Sequence, residues 1–144
     1  MLHLNIHFLY PKLDEIKLLN FDKQLDVLCF CETFLNDSFS DHELSINNYN
    51  MFRRDRGTIG GGLVIYVKDI YHCTRRTDLE SISLECICLE IKQQHLKPLL
   101  LCYCNRPPSC NVSWLSDFSD SMKKCFLEQE ECIVLGDFIF DILK

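Results

Sequence analysis

Long apolar runs are missing from this sequence. No stretch approaches the roughly 18 consecutive apolar residues that a membrane-spanning helix needs, so no transmembrane segment is expected. The opening Met1–Tyr10 lacks both the basic start and the long apolar stretch of a secretory leader, and the expected setting is intracellular. Excess positive charge is also absent: 15 Lys and Arg stand against 21 Asp and Glu, for a formal net charge of −6. That balance excludes a protein held to nucleic acid by bulk charge. Any such contact would be local, with Arg53-Arg54-Asp55-Arg56 as the first candidate and Arg75-Arg76 as the second. Either cluster, taken by itself, is equally well read as solvated charge beside a turn. No internal repeat, low-complexity tract or linker divides the 144 residues.

What is present is enough for a core. A 47% apolar and 25% charged composition with near-zero mean hydropathy describes a globular chain, and residues 1–144 are read as part of one domain. The 10 cysteines do not follow a zinc or disulfide pattern. Cys29/Cys31, Cys86/Cys88 and Cys102/Cys104 are C-x-C pairs inside apolar runs, and a period of two puts both members on one strand face. A zinc knuckle instead uses C-x₂₋₄-C in loops. Buried cysteines acting as small hydrophobes are the expectation. If the segments around Cys86–Cys88 and Cys102–Cys104 pair as a hairpin, four thiols come close together; a cysteine-based metal or redox module would need such a cluster at a surface. The sequons at Asn36 and Asn111 carry little weight without a secretory route.

Strand-like and helix-like pieces alternate along the chain. Residues 2–9 read as a strand, and Pro11 opens a helix with Leu13, Ile16 and Leu19 on one side. Residues 25–31 form an apolar run suited to a strand covered on both faces. Ser40-Asp41-His42-Glu43 has the form of a capping box, predicting a short helix. Residues 49–54 and 61–68 predict two strands joined through Gly57 and Gly60-Gly61-Gly62, and 82–92 with 97–104 predict a second hairpin, ended by Arg106-Pro107-Pro108. A helix from Asn111 is expected to line Trp114, Leu115, Phe118, Met122 and Cys125 along its packed face. Residues 131–135 are a last strand, expected inside a sheet. The fold class that follows is mixed α/β, in layers.

Glu32 and Asp137 each end a buried-looking strand, where ligands gather in α/β folds. A carboxylate there suits Mg²⁺, which takes few protein oxygens and keeps several waters. With Asn5 on the first strand they form a candidate cluster, although either acid alone is more often a loop or cap residue.

Five blocks then follow in order: Asn5-Ile6-His7-Phe8-Leu9; Cys31-Glu32-Thr33-Phe34-Leu35; Arg53-Arg54-Asp55-Arg56-Gly57 with Gly60-Gly61-Gly62-Leu63-Val64-Ile65-Tyr66; Asn105-Arg106-Pro107-Pro108; and Gly136-Asp137-Phe138. Together they resemble the N-I-R-S-L, S-E-T-W-L, R-x-D-R-x-x-x-G-G-G, Y-R-P-P and G-D-F-N blocks of LINE-type endonuclease domains from non-LTR retrotransposons. These belong to the DNase I-like endonuclease/exonuclease/phosphatase family. The resemblance implies a DNase I-like sandwich of two β-sheets flanked by helices, with its second half incomplete here. It implies Glu32 as the Mg²⁺-binding carboxylate, Asn5 as an orienting group beside the metal and the scissile phosphate, and Asp137 as the group that positions or activates the attacking water. It further implies a glycine-rich hairpin lying near DNA, with Arg53, Arg54 and Arg56 as nucleic-acid contacts. The activity would be Mg²⁺-assisted phosphodiester hydrolysis, nicking nuclear DNA so that a reverse transcriptase domain in the same polyprotein can prime from the break.

Departures from the pattern lower the expected activity. Asn105 stands where the family has Tyr, with Tyr103 two residues earlier on the same expected face, and His7 replaces the usual Arg. Ile139 replaces the Asn of G-D-F-N, and an Ile side chain donates no hydrogen bond. Losing one preorganised donor costs on the order of 10²–10³ in rate. The family's closing Asp-His pair has no counterpart, since all five histidines lie at or before His95. The expectation is a weakly active or inactive product, unstable or aggregation-prone through uncovered strand edges, which a sharp cooperative melt would contradict. The alternative is a non-catalytic remnant that touches nucleic acid or a partner through the same arginines.

Overall fold

A computed structural model describes residues 1–57, 60–128 and 131–138. Its strands are β1 (Leu2–Asn5), β2 (Val27–Cys31), β3 (Tyr49–Arg54), β4 (Leu63–Lys68), β5 (His72–Arg75), β6 (Glu85–Lys92), β7 (Leu99–Arg106) and β8 (Glu131–Phe138). Its α-helices are α1 (Leu13–Lys23), entered through a 3₁₀ turn at Tyr10–Lys12, and α2 (Trp114–Leu127). One sheet has the order β1-β2-β4-β3 and the other β5-β6-β7-β8. β1 runs parallel to β2 and β7 parallel to β8; all other neighbours are antiparallel.

Alternation along the strands builds the layers. Val27, Cys29 and Cys31 of β2 and Leu63, Ile65 and Val67 of β4 face Ile87, Leu89, Ile91, Leu101 and Tyr103 of the second sheet, forming the core between the sheets. The opposite residues, Leu28, Phe30, Val64 and Tyr66, pack against Leu13 and Ile16 of α1. On the far side, Cys86, Cys88, Leu100, Cys102 and Cys104 lie under Trp114, Met122 and Cys125 of α2. The result is helix, sheet, sheet, helix. The expected two-sheet sandwich flanked by helices is the fold observed.

Several local expectations are corrected. The first strand stops at Asn5 rather than residue 9, because His7 and Phe8 take left-handed φ values of 44° and 72°. Leu19 and Leu115 point outward, at 42% and 59% exposure, so each helix buries a narrower face than its spacing implied. The capping box forms in its reciprocal pattern: Ser40 N donates to Glu43 Oε2 at 2.9 Å, and Glu43 N to Ser40 Oγ at 3.3 Å. It closes only turns over residues 41–44, with no helix after it. β8 is longer than expected and lies at the edge of its sheet, half-buried, with β7 as its one strand neighbour among the described residues.

Candidate active site

The rows of apolar residues between the sheets end in polar ones at one rim. On β1 the inward row continues from His3 to Asn5, which is in register with Cys31. On the second sheet, the row through Ile87, Tyr103 and Leu135 ends in Glu85, Asn105 and Asp137, with Glu85 paired to Asn105 and Asn105 to Asp137. Period two therefore aims these groups at each other across the sandwich.

Asn5 Nδ2 donates to Asp137 Oδ2 at 3.0 Å. Asn105 Nδ2 donates to both Glu32 Oε1 and Glu85 Oε1, each at 3.1 Å. Asn5 is next to the Cys31-Glu32 end of β2, so the contacts close a circuit: Glu32, Asn105, Asp137, Asn5 and back. Asn5, Glu32 and Asp137, drawn from three distant blocks, share one rim at the carboxyl ends of the parallel pairs β1/β2 and β7/β8.

Glu32 adopts a left-handed backbone, φ 54°. For a residue with a Cβ this costs on the order of 1–2 kcal/mol, and it persists only where the surroundings impose it. Here Phe8 N donates to Glu32 O at 3.1 Å, and Phe34 N to Gly61 O at 2.9 Å. Gly61 N in turn donates to Glu32 Oε2 at 2.9 Å and Gly62 N to Glu85 Oε1 at 2.8 Å. Both glycines have positive φ, 72° and 91°, which lets successive amides form a concave donor surface. In this structure the amides of the glycine-rich segment hold the two carboxylates.

Two arginines of the first basic cluster are held inside the protein. Arg53 pairs with Asp41 and Asp55 and donates to the carbonyls of Asn36 and Phe39. Arg54 donates to the Cys86 carbonyl at 3.1 Å and lies 3.6 Å from Glu80. Arg56 reaches Glu85 Oε2 at 3.3 Å, so its charge balances the rim itself. The second cluster behaves alike: Arg75 grips Glu80, and Arg76 grips Asp78 and Glu128. Both clusters are thus engaged in ion pairs within the protein, some with exposed partners such as Asp41 and Asp78. Tyr103 is fully buried, edge-on to His3 with ring centroids 5.5 Å apart, and so does not stand in at the rim for the family's Tyr. Burial lowers the His3 pKa, with Asp137 opposing, and raises that of Tyr103. Ile139 lies outside the described residues.

No protein-family profile matches the chain, and no curated protein sequence does. Solved structures do match. The endonuclease domain of TRAS1, a telomere-specific non-LTR retrotransposon, superposes with TM-score 0.63 at 13% identity, covering 94% of this chain and 56% of that one. An AP endonuclease from Archaeoglobus fulgidus gives TM-score 0.60 at 13% identity, covering 94% and 55%. The 3′-5′ exonuclease NExo from Neisseria meningitidis gives 0.68 at 16%, covering 95% and 56%. The chain has the DNase I-like fold. It spans just over half the length of each of these DNase I-like structures.

Within that fold, reasoning from sequence missed Glu85 and gave Asn105 only as a departure from the family's Tyr. Glu85 is 9% exposed and Asn105 3% exposed, and they are registered partners on adjacent strands. The available signal was a lone acid opening the apolar run Cys86–Leu89 and a lone amide closing its hairpin partner. In sequence Asn105 looks only like a lost tyrosine. The structure makes it the donor that holds two carboxylates near each other.

Proposed function

We propose that the chain carries the carboxylate half of a Mg²⁺-dependent DNA phosphodiesterase centre, of the kind used by retrotransposon endonucleases. The supporting observation is the convergence of Asn5, Glu32, Asn105 and Asp137 at one rim. The donor set is all oxygen and amide, which fits a hard divalent cation and not a soft one. Glu32 would hold the ion, since each of its oxygens accepts one protein hydrogen bond and keeps a second lone pair. Asn5 donates through Nδ2 and so retains Oδ1 for the same ion or its waters. Asp137 Oδ2 is fixed by Asn5, which leaves Oδ1 to orient a water and accept its proton. When bound, Mg²⁺ neutralises charge on the phosphate. In that reading DNA is the substrate, the nucleus is the setting, and a reverse transcriptase domain of the same polyprotein uses the break. This chain alone turns over slowly.

The alternative, a binding remnant using Arg53, Arg54 and Arg56, would have to break the ion pairs that hold those side chains. Binding and catalysis are tested together. Mg²⁺ should raise the thermal midpoint in proportion to RT ln(1 + [Mg²⁺]/Kd), and Glu32→Gln should remove that rise. Any Mg²⁺-dependent nicking of supercoiled plasmid should disappear in the same variant. A midpoint that ignores millimolar Mg²⁺ refutes the site.

A further inference from the structure

The outer face of the second sheet holds chemistry that the phosphodiesterase reading does not use. β6 and β7 place Cys86 opposite Cys104 and Cys88 opposite Cys102. α2 lays Cys125 over this row. The sulfurs follow one another closely: Cys88 Sγ is 3.6 Å from Cys102 Sγ, which is 3.3 Å from Cys125 Sγ. All three lie within 4.8 Å of one another and all three residues are buried. Packing alone does not require this. Small hydrophobes fill a helix–sheet interface wherever they point, whereas three sulfurs converging on one point form a donor set.

Its geometry matches a metal. A metal–sulfur bond of about 2.3 Å sets sulfur–sulfur separations of about 4.0 Å in a planar three-coordinate site and about 3.8 Å in a tetrahedral one. The two short spacings, 3.6 and 3.3 Å, fall below those values and the third is no more than 4.8 Å, so loading needs the sulfurs to part by about 0.2–0.7 Å. Leu79, Leu84, Leu100, Trp114 and Met122 surround the trio, and among the described residues no carboxylate or imidazole joins the three sulfurs within 4.8 Å. Thiolates without harder donors select soft ions such as copper(I), while structural zinc takes four ligands.

We propose that Cys88, Cys102 and Cys125 form a three-thiolate site for copper(I) that fastens α2 to β6 and β7. Binding releases thiol protons to solvent, up to one from each sulfur, so affinity rises with pH. The hydrogen bonds already run from Cys88 to Cys102 to Cys125. Because the trio is enclosed, the ion enters as the chain folds. The site is independent of the Mg²⁺ rim, and its tests read no nuclease activity.

The whole chain, refolded reduced and without oxygen in copper(I) buffered by a competing chelator, should take up one equivalent. X-ray absorption at the copper edge should show three sulfur neighbours. Cys125→Ala should weaken binding by at least about a hundredfold, the upper end of what losing even a supporting group costs. Cys73→Ala, remote from the trio, should leave it unchanged. In the unaltered protein, copper should shield Cys88, Cys102 and Cys125 from alkylation, a readout that does not depend on any variant folding. Two sulfurs at the copper edge, equal affinity in Cys125→Ala and Cys73→Ala, or alkylation of the trio in the loaded protein would overturn the proposal. So would preferential uptake of zinc by four sulfurs including Cys132, which borders Cys102.

Discussion

Asn105→Ala removes a single nitrogen that serves two carboxylates. Hydrogen bonds to charged groups contribute about 1.5–3 kcal/mol each. Glu85 is nearly buried and keeps the Gly62 amide and the Arg56 guanidinium; Glu32 is half-buried, and water replaces part of its loss. Together the two bonds and the residual cavity give about 3 kcal/mol. For a chain of this size that corresponds to a drop in thermal midpoint of roughly 6–12 °C. Asn105→Asp sharpens the test, because it keeps the shape, abolishes the donor and adds a fourth carboxylate to Glu32, Glu85 and Asp137 at the rim. Without metal it should be destabilised at least as much as Asn105→Ala. With Mg²⁺ it should recover more than Asn105→Ala, since the added oxygen is a ligand where the lost nitrogen was not. Urea unfolding followed by circular dichroism, with and without Mg²⁺, measures both. If both variants unfold within about 0.5 kcal/mol of the parent, the range of an ordinary surface change, Asn105 does not hold the carboxylates together.

Two further outcomes follow from the same rim. An added methyl in Gly136→Ala would overlap the carbonyl of Cys104 on β7, so β8 must shift and carry Asp137 with it; the cost is about 1–3 kcal/mol, and the Mg²⁺-dependent midpoint shift should weaken. Parent-like melts in both conditions would show that the strands tolerate the methyl. Burial holds the pKa of His3 below its ordinary 6.5 with Asp137 opposing, so the unfolded chain binds more protons than the folded one between the two values. His3 therefore contributes stability that is present above pH 6.5 and lost as pH falls through the lowered value. His3→Gln should flatten that part of the stability–pH curve and Asp137→Asn should steepen it; superimposable curves would disprove the burial argument.

Much of this was legible because period two is a local rule. Cys29 with Cys31 on β2, and Leu63 with Ile65 and Val67 on β4, stand out in the sequence as alternate members of apolar runs, and those rows are the inter-sheet core. Glu32 and Asp137 were legible as polar punctuation at strand ends, and Asn5 as a polar residue on the first strand. The roles of Arg53 and Arg54 were not, because a guanidinium looks the same in sequence whether it meets phosphate or a carbonyl 17 or 32 residues away. The strand end at Asn5 was also hidden: the backbone turns at His7 and Phe8 because Phe8 N bonds the carbonyl of Glu32, a contact between distant segments. Helix content after Ser40 failed for a related reason. A capping box satisfies the first turn, but propagation needs an apolar stripe to bury, and only Leu44 is buried across the turns at 41–44.

The rim and the sandwich are one object. Asn105 is two residues from Tyr103, and Asp137 two from Leu135, along rows that pack against Cys29, Cys31 and Ile65 of the other sheet. A change in the separation of the sheets therefore changes the distance between Glu32 on one side and Asn105 and Asp137 on the other. Interiors pack at crystal-like density and resist such changes, so the core sets the geometry of the carboxylates as firmly as their own hydrogen bonds do. The left-handed Glu32 marks where this constraint is strongest: the chain leaves β2 against its backbone preference because Phe8, Gly61 and Asn105 each hold one part of that residue.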